Sequence, residues 1–282
     1  MSLSIRAILH PTDFSDLSGA AFAHALCIAL AAGSRLQVLH VLPHDPAGAL
    51  AFPHGRRLLA QWELIDEDDH PGEIADKLGI EIEDVRLVAQ QPVGGIVGFL
   101  RRHSCDLIVL ATEGGDGLAR WLKGSVAETV SRRAAVPVLF VAQGARSFVD
   151  QVSGDARFRR VLVPIDLSPP PDEAIEVVQC FGTLMTGADV AMHLLHVGAS
   201  APRLRMTASK GGGLPPVMVR SGSVVQTIID TAVELDVDLV AMPTAGHRGV
   251  LDVLRGSTTE RVIRHAPCPV LALPSGWRPA PV

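Results

Sequence analysis

The chain has no cysteine-pair pattern, no apolar run long enough for a membrane, and no excess of positive charge. Each absence removes a class of function. Cys27, Cys105, Cys180 and Cys268 show neither CxxC nor Cys/His spacing, which excludes a zinc ribbon and a dithiol redox motif. They read as buried, unpaired thiols, consistent with a reducing cytoplasm. The longest apolar run, from Ala20 to Ala32, contains His24 and is too short to span a bilayer. The start of the chain carries Arg6 and then a strand, without the layout of a signal peptide. A net charge of -5 gives no electrostatic case for nucleic acid or an anionic membrane. Also missing are a Gly-x-Ser-x-Gly elbow and a Gly-x4-Gly-Lys-Ser/Thr loop, so neither an α/β-hydrolase nucleophile nor a P-loop is present.

What the chain does have is a repeat. Asp106-Leu-Ile-Val-Leu-Ala111 leads through Gly114 to Gly124-Ser125, Glu128 and Pro137-Val-Leu. Asp238-Leu-Val-Ala-Met-Pro243 leads through Gly246 to Gly256-Ser257, Glu260 and Pro269-Val-Leu. Self-similarity of this kind sets the domain count before other reasoning. We expect two domains, over residues 1–146 and 157–276, joined by a polar linker over Gln143–Arg157. With 48% hydrophobic and 20% charged residues, each half has material for a core.

Taken in order, each half opens on a short apolar run ending in Pro-x-Asp-x-Ser, at Pro11–Ser15 and Pro164–Ser168. Such a run reads as a buried parallel strand. Its aspartate, Asp13 or Asp166, then stands at the carboxyl end of the strand, where open α/β sheets bind ligands. Helices are expected over Leu17–Ala32 and from Pro169 to about Met185, with Gly33 and Gly187 as their C-terminal stops. Second strands follow at Leu36–Val41 and Val190–Val197. The first half then spends Leu42 to about Gly79 on a long connection, with a helix around Arg57–Ile65 and another after Pro71. The second half offers only a Gly- and Pro-rich stretch from Gly198 to Pro216, in which no helix fits. One face-covering helix is therefore lost there, and another part of the chain must cover that sheet face. Third strands near Glu81–Val88 and Val217–Arg220 and helices at Gly94–His103 and Ser223–Leu235 complete the pattern. The alternation predicts, in each half, a Rossmann-like α/β domain with a five-stranded, mainly parallel sheet and helices on both faces.

In both copies nine residues separate one glycine from the Gly-Ser pair. Glycine allows close approach of backbone to a ligand. Ser125-Val-Ala-Glu128 and Ser257-Thr-Thr-Glu260 are capping boxes, so each serine starts a helix. The helix start then presents unpaired N–H groups and a positive dipole end to an anion. The same glycines also serve to turn the chain between strand and helix, with or without a ligand.

These residues together resemble a tandem member of the universal stress protein family, over nearly the whole chain. The resemblance implies two adenine nucleotide alpha hydrolase-like domains and a cytoplasmic stress-response role. The ATP-binding branch of the family carries Gly-x2-Gly-x9-Gly-Ser/Thr, which implies ATP, ADP or AMP as ligand, with Mg2+ or Mn2+ alongside. Carried over by position, Pro11, Thr12, Asp13 and Val41 would bound adenosine in the first half. Ala111, Gly114, Gly124, Ser125 and Val126 would follow the phosphates. In the second half the adenosine residues are Pro164, Ile165, Asp166 and Val197. The phosphate residues are Pro243, Gly246, His247, Arg248, Gly256, Ser257 and Thr258. The motif's first glycine is replaced in both halves: Ala111 adds a methyl group, while Pro243 removes a donor and fixes φ. Glu113 and Asp116 oppose a polyphosphate in the first loop, whereas His247, Arg248 and Arg255 attract one in the second.

Other groupings are weaker. His44, His54, His70, Asp66, Asp68 and Asp69 crowd the long connection without a compact ligand pattern, and a solvated surface is the expectation. The Gly-Lys-Ser/Thr lysine that commonly draws on a transferred phosphate is absent from both loops, so any ATP hydrolysis is expected to be slow. Three functions stay open at this point: a nucleotide-binding sensor or regulator, a nucleotide-free interaction scaffold, and a slow ATP-hydrolysing enzyme. The closing strands, Val136–Val141 and Cys268–Leu273, are apolar edges that proteins avoid leaving exposed. They are expected to pair within the chain as a pseudo-dimer, with a further homodimer left open.

Overall fold

A computed structural model describes residues 3–44, 53–66, 68–112, 136–202, 204, 214–244 and 258–277. The first half contains β1 (Ala7–Thr12), α1 (Asp16–Ala32), β2 (Arg35–Leu42), α2 (Pro53–Gln61), α3 (Pro71–Leu78), β3 (Ile82–Val88), α4 (Pro92–Leu100), β4 (Leu107–Thr112) and β5 (Val138–Ala142). The second contains β6 (Arg160–Pro164), α5 (Asp172–Thr186), β7 (Ala191–Val197), β8 (Val217–Arg220), α6 (Val224–Glu234), β9 (Leu239–Thr244), α7 (Thr258–His265) and β10 (Val270–Pro274).

Both halves are α/β with the same strand order. The ten strands form one sheet in the order β3-β2-β1-β4-β5-β10-β9-β6-β7-β8. Pairing is parallel within each half. The closing strands β5 and β10 meet antiparallel, Leu139 opposite Leu271, as their apolar edges require. In each half the direction of winding reverses next to the first strand, between β1 and β4 and between β6 and β9. A crevice for ligands forms at such a switch point, outside the carboxyl ends of the strands.

The aspartate that heads each repeated stretch has a structural duty. Asp106 Oδ2 accepts hydrogen bonds from the backbone N–H groups of Arg6 (2.7 Å) and Ala7 (3.1 Å). Asp238 does the same for Arg159 (2.7 Å) and Arg160 (2.9 Å). Each carboxylate thus satisfies the unpaired donors at the start of the neighbouring first strand.

α1 shows why this chain builds helices where it does. Ser15 caps its start, accepting from Ser18 N–H at 3.3 Å, and Asp16 lies in its first turn. Gly33 ends it with φ 62, a left-handed turn that favours glycine. Ala21–Ala25, Leu26, Ile28 and Ala29 are all buried, because α1 packs on the sheet and on α5 at once.

Two apolar cores lie on opposite faces of the sheet. One gathers α1, α2 and α5 with Ile8, Val109, Val163 and Leu271. The other gathers α4, α6 and α7 with Leu9, Leu110, Leu162 and Val270. The first core runs across both halves, and its aromatic residues concentrate at the junction. His24 meets Phe148 edge-on at 4.3 Å, Phe148 meets Phe158 at 5.1 Å, and Phe158 meets Phe181 at 5.4 Å.

The segment expected to be a polar linker is therefore partly core. Phe148 and Val149 are both buried, and Val149 bridges Ala156 across a turn held by Asp150. Apolar Phe148 and Val149 override the polar average of the stretch. Among the described residues between β7 and β8 no helix occurs, as expected. Leu204, Leu214 and Trp277 pack against the first core there. The helix expected around Arg57–Ile65 instead ends at Gln61, and Trp62 docks on the junction, donating its Nε1–H to Gln151 O at 3.0 Å.

Candidate functional site

Both strand-end aspartates stand at the switch-point edge, but their surroundings differ. Asp13 Oδ1 accepts from the Ser15 N–H at 3.0 Å and from the Ser15 hydroxyl at 2.6 Å. Burial works to raise its pKa, yet the bonds from Ser15 and the charge of His40 hold it below the usual carboxylate value. Next to it Phe14, at φ 61, lies over His40 with ring centroids 4.5 Å apart. Asp166 is exposed, and its side chain accepts only the N–H of the next residue, Leu167, at 2.7 Å among the described residues. Leu167 replaces Phe14 and is 73% exposed, so nothing aromatic covers the second edge.

The matching histidines hold the second strands in register with this edge. His40 Nδ1 donates to Thr12 O at 2.8 Å and His196 Nδ1 to Ile165 O at 3.1 Å, the hydrogen being placed by the carbonyl acceptor. Gly198 is fixed by the same contact, because a Cβ there would lie 2.4 Å from His196 Nε2.

In the second half these residues enclose a cavity of about 410 Å3. Its walls include Pro164, Ile165, Asp166, His196, Val197, Pro243 and Thr258, seven residues from four segments of the chain. Leu195, Val224, Ile228 and Met242 supply an apolar floor on the α6 side of the sheet. Sequence reasoning missed this floor and Thr244. The signal was present in Thr244 matching Thr112 at the last position of its strand. Thr244 donates its hydroxyl to Leu273 O at 3.2 Å.

In the first half Val41 lies against α4. Gly95 permits this, since a Cβ there would stand 2.7 Å from Val41 Cγ1. Pro11 is buried, and the Thr12 side chain turns to the opposite face, 2.8 Å from Ser18 Oγ. Ala111 and Pro243 are both strand residues, in register with Val141 and Leu273. The motif's first position therefore belongs to the sheet rather than to the loop. Gly114, Gly124, Ser125, Val126, Gly246, His247, Arg248, Gly256 and Ser257 lie outside the described residues, as do Glu113, Asp116 and Arg255. Glu260, the far member of the second capping box, accepts from Arg264 Nη2 at 3.0 Å.

Among the described residues no group of three metal-ligating side chains occurs. Asp66 and Asp69 bind Lys77, at 2.9 and 2.6 Å, and the His70 N–H bonds Glu73 at the start of α3. The His54 side chain and Glu67 are outside the described residues. The four cysteines are free; Cys105 and Cys268 are buried, while Cys27 and Cys180 are partly so. Burial pushes the Cys27 thiol up to about 11 and those of Cys105 and Cys268 to about 12, which leaves little thiolate to react. No helix among the described residues is long and apolar enough to cross a membrane.

Strand order and the strand-end aspartates define an open α/β protein whose switch-point edge lies at Asp13 and Asp166. Comparison with known proteins gives the family. The universal stress protein family model matches residues 4–142 and 199–274, and the chain belongs to that family. A universal stress protein of Methanocaldococcus jannaschii is 33% identical over 141 residues, covering 48% of this chain and 81% of that protein. One of Mycobacterium tuberculosis is 30% identical over 152 residues, covering 50% of this chain and 48% of that protein. The crystal structure of a universal stress protein from Archaeoglobus fulgidus covers 96% of both chains at 25% identity, with a TM-score of 0.63.

Proposed function

We propose that the chain is a two-unit stress-response regulator, divided near residues 1–146 and 157–276, which binds an adenine nucleotide in its second unit. The 410 Å3 cavity beside Asp166 carries this reading, because its size falls within the range of small-ligand sites. Its chemistry fits adenosine. Val197, Met242 and Ile228 offer apolar walls to a base. Asp166 offers an unshared carboxylate oxygen to ribose hydroxyls. Phosphates would extend from Thr258, at the first position of α7. The sequence before it carries His247, Arg248 and Arg255, a charge that favours phosphate, and Mg2+ or Mn2+ would accompany the nucleotide. ATP, ADP and AMP share the adenosine contacts and differ only in that outer part.

Binding alone is the role proposed, with occupancy altering shape or partners. Neither loop has the Gly-Lys-Ser/Thr order that sets a lysine on a transferred phosphoryl group, and the second loop holds no lysine. The four free thiols suit a cytoplasmic setting. Isothermal titration with ATP, ADP and AMP, with and without Mg2+, tests the reading. One site per chain is expected. No heat from any of the three leaves the nucleotide-free scaffold as the function.

A further inference from the structure

A second cavity, about 140 Å3, lies on the other face of the sheet, where α1, α2 and the junction turn meet. Along β1 the side chains alternate. Ile8 joins the core under α1 and Leu9 joins the opposite core, so His10 and Thr12 share the face of Ile8. The cavity is lined by His10, Thr12, Ser18, Phe22, Arg57 and Gln61, with Leu58 beside them. The nucleotide site proposed in the second half uses none of its side chains.

His10 is the unexplained member. It is 0% exposed, and its Nδ1 lies 3.0 Å from Val109 O. That carbonyl can only accept, so the hydrogen is on Nδ1 and Nε2 is a bare acceptor. Nε2 is buried and has no partner among the described residues. Packing does not require a histidine here, because the repeat has Val163 at the matching position, equally buried. An unpaired buried acceptor is a cost that nothing in the fold repays. Burial also lowers the His10 pKa to about 4, which keeps the ring neutral at ordinary pH.

The rest of the wall says what partner would fit. Thr12 Oγ1 and Ser18 Oγ, 2.8 Å apart, offer a hydroxyl pair. Phe22, whose ring centroid is 5.9 Å from that of His10, and Leu58 offer an apolar side. Arg57, exposed at the rim, has no ion pair among the described residues. The volume matches that of a cavity that holds benzene, roughly six heavy atoms. The ligand must therefore be short, donate a hydroxyl hydrogen inward, carry little apolar surface, and end in a negative charge. We propose that this cavity binds a short hydroxy carboxylate, with its hydroxyl on His10 Nε2 and its carboxylate at Arg57.

Saturation-transfer NMR and titration of the full chain with L-lactate test this, with propionate as the analogue that lacks the hydroxyl. Lactate is expected to saturate with a Kd of about 1 mM or tighter. Propionate is expected to bind at least about tenfold more weakly, since Nε2 then stays unpaired. Arg57→Gln, at an exposed position, is expected to weaken lactate about tenfold. His10→Val, which installs the residue of the repeat, is expected to abolish the preference for lactate. ATP is expected not to compete, because the two cavities lie on opposite faces. Equal binding of lactate and propionate, binding unchanged in Arg57→Gln, or no binding by about 50 mM would each overturn the proposal. In the last case the cavity holds water only.

Discussion

The two halves share a strand order and a switch-point edge, yet the described residues line that edge differently. In the first, Phe14 covers His40, Ser15 occupies Asp13, and α4 presses on Val41 through Gly95. In the second, Leu167 points away, Asp166 is exposed, and the corresponding space is the 410 Å3 cavity. Polar burial runs the other way. His10 and His24 lie fully buried in the first half where the second has Val163 and Val177. The contrast teaches that duplication preserves the backbone scaffold, while side chains at a few strand-end and helix positions change what lines each face of each half.

The comparison can be broken in four ways. The largest effect concerns whether the halves are separate at all. Phe158 is buried between Phe148 and Phe181 at the junction, and Phe158→Ala is expected to cost about 3–5 kcal/mol. Urea denaturation should show one transition shifting as a whole; a shift confined to one of two transitions would mean the junction is not shared.

Next comes pH. Burial lowers His10 and His24 to about 4 against an ordinary 6.5. Between those values the unfolded chain binds more protons than the native one, so stability falls as pH drops. Each histidine contributes a slope of up to about 1.4 kcal/mol per pH unit. Urea midpoints at pH 7 and pH 5 measure it. His24→Val should flatten the slope, and an unchanged slope would refute the assignment.

A smaller effect separates the two aspartates. Asp166→Ala is expected to weaken ATP about tenfold, about 1.4 kcal/mol, while Asp13→Ala should change it less than about twofold. Titration calorimetry reads both, and the reverse ranking would move the site to the first half. The smallest is Gly95→Ala, whose Cβ would crowd Val41. Overpacking opposes the gain in helix propensity, leaving a net cost of about 1 kcal/mol. A stabilised variant would show that α4 has room to move away from β2.

The fold was largely legible. Pro-x-Asp-x-Ser, the apolar parallel strands and glycine stops such as Gly33 are local signals, and local signals survive into the structure. Element ends were less so: α2 stops at Gln61 rather than Ile65 because Trp62 turns to meet the junction. The junction itself was misjudged, since polar neighbours masked Phe148. In the second half, Asp166, Val197, Pro243 and Thr258 line one cavity. Their first-half counterparts are placed at the same edge, where Phe14 stacks on His40 and α4 packs on Val41, contacts that no motif announced.

By itself the sequence determined the strand–helix order, the duplication and the positions of the two strand-end aspartates. All of these follow from periodicity and chain direction, which are properties of short segments. Only the tertiary structure decided that β5 and β10 fuse the halves into one sheet, that a cavity forms beside Asp166, and that among the described residues His10 is left with an unpaired nitrogen. Those depend on which side chains from distant segments meet, and a cavity or an orphaned acceptor exists only once the surrounding atoms are packed.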